Sequence, residues 1–461
     1  MPFSARPSSL WEETSLDHNF NHITSDLDCD VCIIGAGFSG LWTAIHLSSV
    51  APEKKIVILE AAQPGFGASG RNGGWCSAFL PMSLDSIAKN SSRNSAIAMQ
   101  FAMNQTISDI GLFIKNNQVN CGWVAGGTLQ SATNPAHLSR LQANVSHYRQ
   151  YGFGDEQISL LSAEVASRRI NACNTLGATY SPHCAALHPG QLIDGLVKHC
   201  ISNGVLIFGN TRVTSIESRQ VFAETPDGRV RVGAAQIVRA TEGYTSAIKQ
   251  SHREIVPLYS YMLATEPLPD HVWESIGWEQ RETFADARNM IIYAQRTADN
   301  RIAFGGRGAP YRFGSAVKSK FDQDSDVHQK IALTMHKLFP ASKDAIITHR
   351  WGGPLGVARD WFTGVTFDRD SGLATMGSYV GDGVAASYLA AKTLAHLIAE
   401  TSEPVTRLPW TQHVSPKWER EPFRWMGINA LLKIPEIADA REMRAGRPSS
   451  LLLRFMRKFT K

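Results

Sequence analysis

Two stretches carry residue types at spacings that suit chemistry. The first is Gly35-Ala36-Gly37-Phe38-Ser39-Gly40, a G-x-G-x-x-G, with Glu60 twenty residues after Gly40. In such a turn the first glycine allows a tight bend and the second lets backbone approach a pyrophosphate. The third lets helix and strand pack closely. The acid can accept hydrogen bonds from a ribose, and its charge disfavours a 2′-phosphate. The second stretch is GASGRNGGWC (67–76), nearly free of side chains yet holding one cation. Gly67, Ala68, Gly73 and Gly74 let backbone pass against a flat ring system. Ser69 is placed to bond phosphate and Arg71 to set a cation near an electron-accepting ring. Asn72, Gly73 and Gly74 can present amide groups.

These residues act only if secondary structure holds them. Val31–Ile34 is a short apolar run, as expected of a buried parallel strand, and Leu41–Val50 has helical apolar spacing. Ile56–Leu59 is a second strand, ending at Glu60 and Ala61. Strand, glycines, helix, strand and acid in that order predict a dinucleotide-binding βαβ unit. Residues 205–245 read as strands with a hairpin at Pro226-Asp227-Gly228, then the turn Ala240–Thr245. Residues 373–400 read as strand, glycine turn and helix, opened by Gly381, Asp382, Gly383 and Val384. Residues 246–345 are strand-rich, with a hairpin turn at RTADNR. The expected fold is α/β plus α+β, a discontinuous Rossmann-like domain with a strand-rich substrate domain. The first domain takes 28–90, 160–245 and 346–402, and the second takes 91–159 and 246–345. An extension (1–27) and a basic helical tail (403–461) flank them.

Bulk properties narrow the classes. The chain has 461 residues, enough for roughly two to three domains. It holds 46 Lys and Arg against 41 Asp and Glu, a net charge of +5. Residues 441–461 alone hold seven of those cations and one Glu. The basicity therefore belongs to the tail, and no nucleic-acid module is expected. RPSSLLLRFMRKFTK (447–461) mixes apolar and basic residues. That admits contact with an anionic membrane surface, although a docked or solvent-facing helix is the commoner outcome. No secretory core stands at the N-terminus, and no run reaches the ~18 apolar residues of a membrane span. The seven cysteines read as reduced thiols of a cytoplasmic protein. No metal-ligand spacing stands out, and no second G-x-G-x-x-G offers a nicotinamide site.

GASGRNGG, with GAGFSGLWTAIHL before it, resembles the D-amino-acid-oxidase-like superfamily of FAD-dependent oxidoreductases, and most closely its gamma-glutamylputrescine oxidase-like branch. The resemblance spans nearly the whole chain. It implies FAD as cofactor, with a backbone bond from Val213 to adenine and a second nucleotide-proximal turn at Thr241 and Gly243. Glu242 departs from the family there, and repulsion from pyrophosphate would turn it to solvent or shift the turn. The helix opened by Gly381–Val384 would point its positive end at the flavin N1/C2 carbonyl. Trp351-Gly352-Gly353-Pro354-Leu355 looks like the polyamine-oxidising branch, with Gly353 near the cofactor, while Arg350 and Arg359 remain nearby as rivals for a substrate carboxylate. Trp351, Tyr259 and Tyr261 would wall an aromatic pocket unless they are core. Arg307 is a site or structural cation, and His349 a candidate to tune amine protonation. His188 reads as structural. No histidine lies in 61–100, no cysteine follows Cys200, and Cys76 reads as packing, so FAD is expected to bind noncovalently.

The expected reaction takes hydride from a C–H beside the nitrogen of an amine. It gives an imine and then an aldehyde, with oxygen or another acceptor taking the electrons and peroxide forming if it is oxygen. Two alternatives stand beside it: an oxidase or dehydrogenase of a modified amino acid, or a biosynthetic tailoring flavoenzyme. From another class comes a flavin-fold protein that binds without turnover.

Overall fold

The computed structural model describes residues 8–449 and Leu453. Among these, two eight-stranded sheets divide the chain. The first is built outward from Leu27–Ile34, which pairs in parallel with Ile56–Leu59 on one side and Gly228–Arg239 on the other. Leu373–Gly377 adds in parallel to Gly228–Arg239. Val31 to Ile34 are all buried, as a strand covered on both faces requires.

The helix Phe38–Val50 follows the glycine turn. Its residues 38–45 and Leu47 are buried, so it is apolar nearly all round and lies inside the domain. Against it packs the helix Gly383–Ile398, whose Ala385, Ala386, Ala390 and Ala391 have no exposed surface. Those small side chains let the two helices approach closely, and the first residues of both border one cavity.

The second sheet is almost wholly antiparallel. Its longest pair joins Ile255–Thr265 to Ile347–Ala358, with Tyr259 opposite Pro354, Tyr261 opposite Gly352 and Met262 opposite Trp351. Alternation sends Tyr259, Tyr261 and Leu263 into one core. Met262, Ala264 and Trp351 go to the other face, where they meet Leu10 and Trp11.

Three expected boundaries move. Strands Ser159–Ser162, Gly177–Ser181 and Ile347–Ala358 pair in the second sheet and not the first. The helix Arg93–Asn116, expected in the substrate domain, places Ala96, Met99, Met103, Ile107, Ile110 and Ile114 in the core around the first helix. Its apolar stripe faces the first domain, a choice that local pattern does not encode. The RTADNR hairpin forms between Ile292–Arg296 and Ile302–Gly306. The tail is helical over Phe423–Ala445, and the reading of 450–461 lies outside the described residues except at Leu453. No described helix is long and apolar enough to cross a membrane.

Candidate functional site

A cavity of about 400 Å³ runs along the edge of the first sheet. At one end lies the glycine turn. Gly35 has φ +104, and a Cβ there would sit 2.7 Å from the Ala240 carbonyl oxygen. A Cβ on Gly40 would meet the Gly35 carbonyl at 1.9 Å, so this glycine serves packing and does not border the cavity. Gly35, Gly37, Phe38 and Ser39 do border it. Glu60 accepts the N–H of buried Ala36 at 2.8 Å and of Ala62 at 2.9 Å. That holds its carboxylate at the mouth of the turn, beside Ala61. Val213 borders the same end.

The first helix has Gly37 as N-cap, with no side-chain cap. Ser69 reaches across from the glycine loop, its Oγ accepting the Phe38 N–H at 2.9 Å. Gly67, Ala68, Ser69 and Asn72 border the cavity, and Arg71, Gly73 and Gly74 do not. The protein itself accounts for much of the missing side chain. A Cβ on Gly73 would meet the Tyr293 ring at 2.8 Å, and one on Gly74 would meet Gln295 at 2.0 Å and the Leu187 carbonyl at 2.3 Å.

Arg71 is turned away from the cavity. Its guanidinium donates to the Gly352 carbonyl at 3.0 Å and pairs with Glu12 at 2.9 Å. Arg212 borders the cavity at the Val213 end; Arg307 does not border it but lies behind Gly381 at the other end and donates to the Val380 carbonyl. Its Nη2 lies 2.7 Å from where a Cβ of cavity-lining Gly381 would stand. Asp382 is the N-cap of the Gly383–Ile398 helix but makes no side-chain cap bond. Burial pushes its carboxyl up to about 6, with Arg307 pulling the other way. Gly383 and Val384 border the cavity at that end.

Glu242 does not turn to solvent. Its carboxylate accepts the N–H groups of Ser378 and Tyr379 at 2.9 and 3.1 Å. Room for it comes from Gly356 and Gly377, where a Cβ would approach its oxygens to 2.9 and 2.6 Å. Burial pushes it up to about 7, opposed by the backbone N–H bonds. Thr241 and Gly243 flank it on the cavity wall.

The other expected catalytic residues are not brought to the cavity. Trp351 is fully buried and donates its Nε1–H to the Arg71 carbonyl at 2.9 Å. Tyr261 donates to the Phe321 carbonyl at 2.8 Å and its ring covers Gly352, while Tyr259 packs in the same core. His349 pairs with Glu13 at 2.7 Å. Arg350 is exposed, and Arg359 pairs with Glu419 at 3.0 Å. Gly353 does not border the cavity, but a Cβ on it would meet nothing within 4 Å. His188 caps the helix Pro189–Ser202 through Nδ1.

Sequence reasoning missed the N-terminal segment. Ser9 and Glu12 have capping-box spacing, a legible sign of an ordered turn. Elsewhere His137, Asp439 and Glu442 come within 4.8 Å of one another. Asp439 already takes the amides of Asn289 and Met290, and Glu442 takes Arg140. The two acids fasten the helix Phe423–Ala445 to the turn between Thr283–Asp286 and Ile292–Arg296 and to the helix Pro135–Gln150.

The residues fit a dinucleotide with a redox ring. Two helix N-termini whose own N-cap residues, Gly37 and Asp382, make no side-chain cap bond open onto one cavity, each presenting a positive dipole end, with Ser69 meeting the Phe38 N–H at the first. A carboxylate suited to ribose borders one end, and Arg307 lies behind cavity-lining Gly381 at the other.

Comparison with known proteins agrees. The family described as FAD dependent oxidoreductase matches residues 30–397. Gamma-glutamylputrescine oxidoreductase of Escherichia coli is 28% identical over 415 residues, covering 88% of this chain and 93% of that protein. Glycine oxidase from Geobacillus kaustophilus shares the fold with a TM-score of 0.69 at 18% identity, covering 84% of this chain and 100% of that one. Iminodiacetate oxidase from Chelativorans sp. BNC1 does so with a TM-score of 0.65 at 17% identity, covering 83% and 99%.

Proposed function

The chain belongs to the FAD dependent oxidoreductase family, and on that premise we propose that it oxidises a C–N bond of a polyamine-like or substituted amine. Carbon loses hydride and nitrogen a proton, giving an imine that water hydrolyses to an aldehyde and an amine. Oxygen takes the two electrons and two protons as hydrogen peroxide. When bound, FAD supplies the acceptor for the hydride.

The chain supplies position and charge. Glu60 holds the ribose end, and the first helix faces the pyrophosphate with Ser69 beside it. The Gly383–Ile398 helix and Arg307 put positive charge where electrons arrive. Attachment is noncovalent: Cys76 is fully buried with its thiol pushed well up by burial, and it does not border the cavity. The free cysteines suit a cytoplasmic setting. The observation that carries the reading is the pair of helix N-termini that open onto one cavity.

A modified amino acid is the second reading. Arg307 favours it, because a guanidinium beside the redox end can hold a carboxylate. The test is an anaerobic visible spectrum before and after adding gamma-glutamylputrescine, simple amines and N-substituted amino acids. Bleaching by an amine supports the first reading, and air then separates oxidase from dehydrogenase. Bleaching only by the amino acids selects the second. No flavin band after FAD is supplied refutes both.

A further inference from the structure

We propose that Trp11 and Glu12, outside the nucleotide fingerprint, are positioning residues that fix the peptide planes of the glycine loop and so tune the bound redox group. The proposal rests on the FAD reading above.

Three successive carbonyls of the loop are captured by side-chain donors. Ser9 Oγ donates to Gly70 at 3.4 Å, Trp351 Nε1 to Arg71 at 2.9 Å and Trp11 Nε1 to Asn72 at 2.8 Å. The two indoles form one buried edge-to-face pair, 6.1 Å apart at 82°, and neither borders the cavity. A planar trans peptide points its N–H opposite its carbonyl. The N–H groups of Asn72 and Gly73 therefore point opposite to the carbonyls that the indoles hold, and of these two residues Asn72 borders the cavity. Among the described residues neither N–H finds an acceptor. Donors fixed in advance toward a site of growing negative charge stabilise it without reorganisation.

Glu12 locks the arrangement. One oxygen accepts the Ser9 N–H at 2.9 Å and the other holds Arg71 at 2.9 Å. The Arg71 side chain is only 1% exposed, against 40% for Glu12, so the N-terminal turn is tied to a cation fixed inside the loop. Trp11 also packs edge-on to His188 at 5.0 Å, which seats the turn on the Pro189–Ser202 helix.

The test compares Trp11→Phe, which keeps a ring but loses the indole N–H, with Glu12→Gln in the full-length, FAD-loaded protein. His18→Gln is the control, since His18 anchors the same segment to Asp194 at 2.7 Å without touching the loop. Readouts are the FAD-to-protein ratio, the melting temperature and the midpoint potential of bound FAD. Both variants should keep FAD yet bind its reduced form about tenfold less well relative to the oxidised form, lowering the potential. His18→Gln should keep the wild-type potential. Wild-type potentials in folded, loaded Trp11→Phe and Glu12→Gln would overturn the proposal, as would an equal shift in His18→Gln. If Trp11→Phe does not fold, Glu12→Gln decides alone. A wild-type protein that takes up no FAD would remove the premise itself.

Discussion

The carboxylate of Glu242 accepts the amide hydrogen of Ser378 at 2.9 Å. This bond ties the turn after Gly228–Arg239 to the turn that opens the Gly383–Ile398 helix, across the wall of the cavity. Removing it with Glu242→Ala leaves two amides without their acceptor. The expected loss is about 1–3 kcal/mol of stability, with weaker FAD retention, checked by chemical denaturation and flavin content.

The same group gives a pH signature. Folding pushes Glu242 from an ordinary 4.5 up to about 7, so the folded state favours its protonated form. Its contribution is complete below about 4.5 and is lost as pH rises through about 7. Melting curves of FAD-free protein from pH 5 to 8 should show wild type losing stability relative to Glu242→Gln. Parallel pH profiles would falsify this.

Adjacent glycines should differ sharply. At Gly352 a Cβ would press on the Tyr261 ring at 2.4 Å, whereas at Gly353 it would meet nothing within 4 Å. Gly352→Ala should cost about 1–3 kcal/mol by overpacking. Gly353→Ala should fold as wild type, so any loss of FAD in that variant reports ligand in the open space. Thermal melts with and without FAD separate the two effects.

Glu60→Ala removes the acceptor for the Ala36 amide inside the glycine turn. FAD affinity should fall about tenfold or more, by the worth of a hydrogen bond to a charged group. Fluorescence titration of the FAD-free protein reads this directly. Unchanged affinity would place the ribose elsewhere.

Arg307→Ala discriminates between the two substrate readings. If Arg307 holds a carboxylate, KM for acid-bearing amines should rise by about tenfold or more while simple amines are spared. If it acts on the redox end alone, kcat should fall for both classes. Steady-state kinetics on a matched pair of substrates decides.

The nucleotide end was legible because its rules are local. Three glycines, a buried strand and an acid at fixed spacing leave few conformations, and Glu60 lies where that spacing puts it. The cation was not legible in the same way. Arg71 sits in the right stretch, but its partners Glu12 and Gly352 are distant in sequence, and pairing with them turns it away. Trp351 and Tyr261 fail as pocket walls for a similar reason, since register in the second sheet sends them to opposite buried faces. Of the two readings of Glu242, the solvent-facing one fails because the two glycines that make room for it lie more than a hundred residues downstream.

Strand order also governs when the site can exist. Leu27–Ile34 has Gly228–Arg239 along one edge, and the Gly383–Ile398 helix closes the cavity. A chain emerging from the ribosome therefore carries its glycine turn with a sheet edge open until Gly228–Arg239 follows, and with the far wall missing until Gly383–Ile398 does. The cavity is complete only once Gly383–Ile398 has been made. Before Gly228–Arg239 is made, the open edge of Leu27–Ile34 is a surface on which nascent chains can pair wrongly, so chaperone capacity should limit the yield of active protein.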